Sequence, residues 1–253
     1  MQVVFFRALG TFAFIFPYML WHRIPIVGNH VGMLIARALV GIVSLATFFI
    51  CLQRIPLASA VSIRYLGPIF GAVLAFYFLR EKINAWQWFS FVISFSGVVV
   101  IKGFDLRIDY LSLALILTSA LFLGTVFVII RYLSTREHYL TIINYFMVVS
   151  MVLGLAFFKF WRMPNTEEWP AVIGIGIFGL IGQVFMTKAY QLTEASVLAP
   201  FKYAGLIYAL IIGYAYFGET FTLLPLLGIG LILAGMLLSI YGKRQHKSEP
   251  AKA

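Results

Sequence analysis

Apolar runs of bilayer-crossing length recur along this chain. There are about nine of them, each roughly 16 to 23 residues, and a helix needs about 20 apolar residues to cross the hydrocarbon layer. Inside lipid every backbone N–H and C=O must be paired within its own segment or in a closed barrel. These runs lack the apolar–polar alternation of barrel strands, so they read as helices. Composition excludes the soluble alternative, because 62% of the residues are hydrophobic and 11% charged, against roughly 45–50% and 25% in an ordinary soluble domain. The expected fold class is all-α: a polytopic membrane protein with about nine transmembrane helices.

The spans are expected at Val3–Leu20, Val31–Leu52, Ala58–Leu79, Trp86–Ile101, Tyr110–Tyr132, Leu140–Phe160, Trp169–Tyr190, Ser196–Phe217 and Phe221–Tyr241. Polar or Pro/Gly-bearing breaks separate them, such as His22 to Asn29, Arg80-Glu81-Lys82, Trp161 to Glu168 and Gly218-Glu219-Thr220. The chain carries 19 Lys and Arg against 9 acids, a net charge of +10. On a soluble protein that excess would point to nucleic acid. Here it has a topological meaning, because basic loops stay on the cytoplasmic side. More of the basic residues near span ends fall on one side if the C-terminus lies inside, and that choice puts Met1 outside. The single cysteine, Cys51, excludes an internal disulfide and a Cys-based metal site and reads as packing.

Adding 138 to a position in the first hundred residues reaches its counterpart in the second half without a gap. The frame pairs Gly41 with Gly179, Gln53 with Gln191, Tyr65 with Tyr203, Gly67 with Gly205, Glu81 with Glu219 and Gly97 with Gly235. Because the second unit is entered through an extra span, the two run oppositely across the membrane, as inverted-topology repeats. The units are placed at 1–101 and 110–241, followed by a basic cytoplasmic tail at 242–253, read as disordered. The span at 110–132 has no partner in the first unit, so a helix preceding Met1 is expected.

The segments Arg64-Tyr65-Leu66-Gly67-Pro68 through Leu79-Arg80-Glu81, and Lys202-Tyr203-Ala204-Gly205 through Phe217-Gly218-Glu219, resemble the fourth helix of an EamA-type unit. The chain as a whole resembles the ten-helix EamA-type branch of the drug/metabolite transporter superfamily, apparently lacking the first helix. Arg80 stands where that pattern has Gly. The resemblance implies a carrier with a central cavity between its units, to which the absent helix would contribute.

Charges at bilayer depth are functional candidates by default, and the spans hold four: Arg7, Arg37, Arg64 and Lys202. Arg64 and Lys202 are repeat-related and about 9 Å inside their spans at 1.5 Å per residue. Two cations facing a shared cavity would attract an anionic group, with Tyr65 and Tyr203 supplying ring stacking and a hydroxyl. The competing reading is snorkelling of the long side chains to headgroup level, and it is favoured for Arg7 and Arg37. Arg37 and the mid-span amide Gln183 complete the substrate-binding set; Gln183 and Asn144 can equally serve as hydrogen bonds between helices. All nine acids lie at span ends or in loops, which leaves no midplane proton carrier. Glu81 and Glu219 are expected to cap the helix that follows each. Small residues at Gly174, Gly176, Gly179 and Gly182 mark a close-packing stripe.

Enzymatic readings lack their residues. No Asp-rich metal motif, intramembrane Ser/His pair, Walker lysine or dinucleotide fingerprint is present. The sequence therefore points to a non-enzymatic secondary transporter without catalytic residues, metal or cofactor. It would move a small organic metabolite, anionic or zwitterionic, by alternating access in a bacterial inner membrane, as a monomer or homodimer. Its partners would be that small-molecule substrate and membrane lipids, with no nucleic acid. A lipid flippase and an inactive N-terminally truncated fragment are the alternatives.

Overall fold

The computed structural model describes residues 1–79, 85–104, 108–192, 205, 208–220 and 222–248. Among these there is no strand. The helices are α1 Gln2–Trp21, α2 Val31–Leu52, α3 Leu57–Arg64, α4 Gly67–Leu79, α5 Ala85–Phe104, α6 Tyr110–Leu133, α7 Tyr139–Ala156, α8 Trp169–Leu192, α9 over 208–215 and α10 Leu223–Ser248. Six helical segments are long and apolar enough to cross a membrane, and the shorter apolar segments Ala85–Ile101 and Leu223–Gly235 add to them. Phe14, Val92, Val99, Phe178 and Phe185 stand exposed on helix faces, the side a bilayer covers. The protein is a polytopic α-helical membrane protein.

Two sequence expectations change. The span placed at Ala58–Leu79 is interrupted: α3 ends at Arg64 and α4 begins at Gly67, with the Leu66 N–H turning back to the Ile63 carbonyl at 3.0 Å. Pro68 is the cause, since its nitrogen cannot donate to the Arg64 carbonyl and its ring crowds that oxygen. The basic tail is helical as far as Ser248, because nothing before Pro250 breaks the helix. Most of the expected span Ser196–Phe217 lies outside the described residues, as do Arg80, Glu81 and Lys82.

The chain forms two compact units: Met1–Ala46 with Val126–Thr193, and Thr47–Thr125 with Glu194–Ala253. In the first, α1 packs on α7 and α8. Gly10 and Gly176 bring α1 and α8 together so closely that a Cβ on Gly10 would lie 2.8 Å from the Gly176 Cα. Ala8, Ile15, Met19, Ile42, Ile143 and Met147 form its core. In the second, α5 packs along α10, its partner under the 138-residue offset. The Ser94 hydroxyl donates to the Ile232 carbonyl at 3.4 Å, a pair 138 positions apart, and Ile63, Leu66, Ile101, Ile116 and Ile232 lie in the core.

Candidate solute-binding site

Within the first unit the buried stripe of α2 carries a charge. Leu34, Arg37, Ala38 and Ile42 recur at helical spacing, all nearly or fully buried, and Arg37 is only 1% exposed. Its guanidinium lies 4.2 Å from the centroid of the Phe146 ring on α7, a cation–π contact. Its Nε and Nη1 are buried and meet no hydrogen-bond partner. Snorkelling does not describe this side chain.

Arg7 on α1 takes the interhelix role: its Nη2 donates to Gln183 Oε1 on α8 at 3.4 Å. The Gln183 amide nitrogen is left buried and partnerless, as are Asn144 Oδ1, Ser150 Oγ and Thr187 Oγ1. Four helices thus supply buried polar groups to one unit, of which α2, α7 and α8 carry the partnerless ones. Buried polar atoms are nearly always satisfied, so such a concentration calls for a ligand or water. Ser150 and Thr187 had no signal in the sequence, where a hydroxyl in an apolar helix is ordinary. Arg7 had one, in being a charge at bilayer depth.

Two glycines make room for the arginines. A Cβ on Gly41 would stand 3.4 Å from Arg37 Nη1 and 3.0 Å from Phe146 Cε2, and one on Gly179 would stand 2.9 Å from Arg7 Cγ and 3.0 Å from its Nε. The stripe of small residues on α8 is therefore not one packing surface. Gly176 meets a backbone, Gly179 meets Arg7, and Gly182 has nothing within 4 Å.

In the second unit Arg64 occupies the last turn of α3, and its guanidinium lies 4.1 Å from the Phe48 ring centroid. A cation there is stabilised by the negative end of the helix dipole, which the mid-helix Arg37 lacks. Tyr65 forms the α3 C-cap, with its hydroxyl against Gly205. Lys202 and Tyr203 lie outside the described residues, so of the two repeat-related basic–Tyr pairs only Arg64-Tyr65 can be placed.

The (L/F)-G-E-like turn has a clear physical basis. Gly218 adopts φ +62°, a left-handed value that suits glycine, and the Glu219 N–H returns to the Gly213 carbonyl at 2.8 Å, closing the helix end. This turn aims the Glu219 carboxylate at α3, where Oε1 accepts from the Leu57 N–H at 2.6 Å. Glu219 therefore caps a helix 162 residues away rather than the one that follows it. Glu81 lies outside the described residues.

Polar contacts at the span ends complete the electrostatics. Glu137, buried in the first unit, accepts from the His30 N–H at 2.7 Å and lies 3.2 Å from its Nδ1. The Ser112 side chain and N–H, with Arg54 nearby, hold the Asp109 carboxyl below its ordinary range. The Asn165 N–H and the Arg162 guanidinium do the same for Glu168. Burial pushes His138 below the usual imidazole range.

Charged and partnerless polar side chains inside lipid-spanning helices define a membrane protein built to handle solutes rather than a passive anchor. The chain belongs to the EamA-like transporter family, whose model matches residues 1–103 and 111–241. It is 29% identical to the pseudopaline exporter of Pseudomonas aeruginosa over 93% of this chain and 84% of that protein. It is 26% identical to an S-adenosylmethionine uptake transporter of Rickettsia felis over 98% and 87%. An uncharacterized transporter of Helicobacter pylori is 30% identical over 81% of this chain and 72% of its own. A protein of known crystal structure superposes with a TM-score of 0.70 at 16% identity, covering 98% of this chain and 88% of that one, and shows the same fold. The protein is a membrane transporter of small molecules.

Proposed function

We propose that the protein is a secondary transporter that moves a small organic metabolite, anionic or zwitterionic and of amino-acid-like size, by alternating access. On this reading the repeats at 1–101 and 110–241 are the moving halves, the C-terminus faces the cytoplasm, and the membrane is a bacterial inner membrane. The observation that carries the proposal is the buried polar set of the first unit, Arg37, Asn144, Ser150, Gln183 and Thr187, each with side-chain atoms that have no partner. Packing alone would select apolar residues at such positions, whereas a solute with polar groups of its own would satisfy them in passage. The names of the relatives support organic solutes, one exported and one taken up. No step of bond chemistry is required of any of these residues.

Purified protein in liposomes tests the proposal. Uptake or exchange of labelled amino acids and other small organic acids should exceed that of empty liposomes. Gln183→Ala and Arg64→Gln should lower the rate more than the folded yield. Flux equal to empty liposomes across the panel, or movement of labelled phospholipid between leaflets instead, refutes it.

A further inference from the structure

The two arginines of the first unit give the transported solute a specific place to bind, an extension that rests on the transport reading. Arg37 projects from α2 into protein, keeps Nε and Nη1 without partners, and stacks on Phe146. Arg7 reaches from α1 to Gln183, whose second amide atom is unspent. Gly41 and Gly179, against which the two guanidiniums lie, are the same position in the two repeats, 138 residues apart. The arginines are not: the offset carries Arg7 to Tyr145 and Arg37 to Ile175. Each repeat has opened its backbone at one shared position, and different helices fill the two openings with the same cationic group.

No acid answers these charges among the described residues. In this unit Glu137 is engaged by His30 and Glu168 by Arg162, and Glu167 is exposed. Among the same residues no ion pair involves Arg7 or Arg37. Buried cations without counter-charges persist at a heavy desolvation cost, which a visiting anion would relieve. Both positions hold arginine rather than lysine, and the donor nearest to hand is a planar amide. Planar forked donors match planar oxyanions better than spherical ions.

We infer that Arg7 and Arg37 form a carboxylate-binding subsite seated on Gly41 and Gly179, with the Gln183 amide as an additional donor. It receives the carboxylate of the transported solute and lies wholly within the first unit, independent of Arg64 and Lys202.

The test uses the purified full chain in detergent, with thermal unfolding followed in acetate and succinate against acetamide and succinamide at constant ionic strength. The carboxylates should raise the unfolding temperature and the amides should not. Arg37→Gln should weaken acetate and succinate binding by roughly ten- to a hundredfold, while the anion-free variant unfolds no earlier than the native protein, because a buried charge has been removed. Gly179→Ala keeps both charges and fills the slot at Arg7, so it should weaken the same response and serves if Arg37→Gln does not fold. Stabilisation by chloride or phosphate but not by carboxylates overturns the inference, as does an acetate response in Arg37→Gln equal to the native one. Liposome flux separates the two claims. Flux whose preference for acid over amide survives Arg37→Gln removes the subsite and leaves transport standing. A carboxylate response lost in Arg37→Gln, in a protein with no flux, leaves the subsite and removes transport.

Discussion

Gly97→Ala measures how tightly the offset-related helices α5 and α10 are joined. A Cβ at position 97 would stand 2.5 Å from the Gly228 carbonyl oxygen, 2.8 Å from Ile232 Cγ1 and 2.9 Å from the Ile232 nitrogen. Two of these three atoms are backbone and cannot rotate away. Ordinary contact begins near 3.4 Å, so the helices must part by about 0.9 Å, a gap that forfeits a quarter to a half of the dispersion at each affected contact. Overpacking of this kind costs about 1–3 kcal/mol, against a gain of up to about 1 kcal/mol from replacing glycine within a helix. The net loss is about 1–2 kcal/mol, which at about 2–4 °C per kcal/mol for a chain of this size lowers the apparent unfolding temperature by roughly 2–8 °C. Gly230→Ala is the control, since that glycine is exposed on α10 with nothing within 4 Å, and it should be neutral or slightly stabilising. Differential scanning fluorimetry in detergent at a single scan rate compares the two, the scan rate being fixed because membrane-protein unfolding is commonly irreversible. If Gly97→Ala unfolds at the same temperature as Gly230→Ala, the close seam between α5 and α10 is wrong.

Contacts at span ends give three further expectations. Glu219→Ala removes the acceptor for the Leu57 N–H and should cost about 1 kcal/mol. Hydrogen exchange should quicken at Leu57, while Glu219→Gln, which keeps an amide oxygen, restores much of the protection; unchanged exchange at Leu57 in the alanine variant would contradict the cap. His138 Nδ1 accepts from the Leu140 N–H at 3.2 Å, so the cap requires neutral imidazole, and burial lowers its native pKa. The unfolded chain therefore binds the proton more readily, and the cap's contribution is full above about pH 6.5 and is lost as pH falls through the lowered native value. Exchange at Leu140, corrected for intrinsic rate, should rise on acidification in the native protein and stay level in His138→Asn; a rise of equal size in both would exclude titration of this cap. Cys51 is fully buried with its thiol 3.5 Å from the Ser112 carbonyl, so a membrane-permeant maleimide should label it only after denaturation, and rapid labelling of folded protein would contradict its placement.

The sequence was legible wherever one local property decided the outcome. Hydrocarbon forbids unpaired backbone groups, so apolar runs of crossing length become helices, and their ends follow from Pro, Gly and charge within a few residues. The same locality explains the break at Pro68 and the closure at Gly218, although Pro68 by itself is equally compatible with a kink in a continuous helix. The offset of 138 was visible too, and it reappears as a contact in the Ser94–Ile232 pair.

Roles that depend on what stands opposite were not legible in this way. Arg64 and Arg37 look alike in sequence, each a cation roughly two turns inside an apolar run. In the folded protein one lies at a helix C-terminus, where the dipole offsets its charge, and the other lies mid-helix against Phe146 with donors to spare. Glu219 could be seen to cap a helix, but its partner is 162 residues away. Gly179 appeared to be one of four equivalent glycines, yet it alone of that stripe admits a guanidinium. The membrane dictates which segments are helices because every residue of a span meets the same solvent. Which polar side chain is satisfied, and which is left open to a solute, depends on atoms from distant helices meeting within about 3 or 4 Å, and that is set only by how the helices pack.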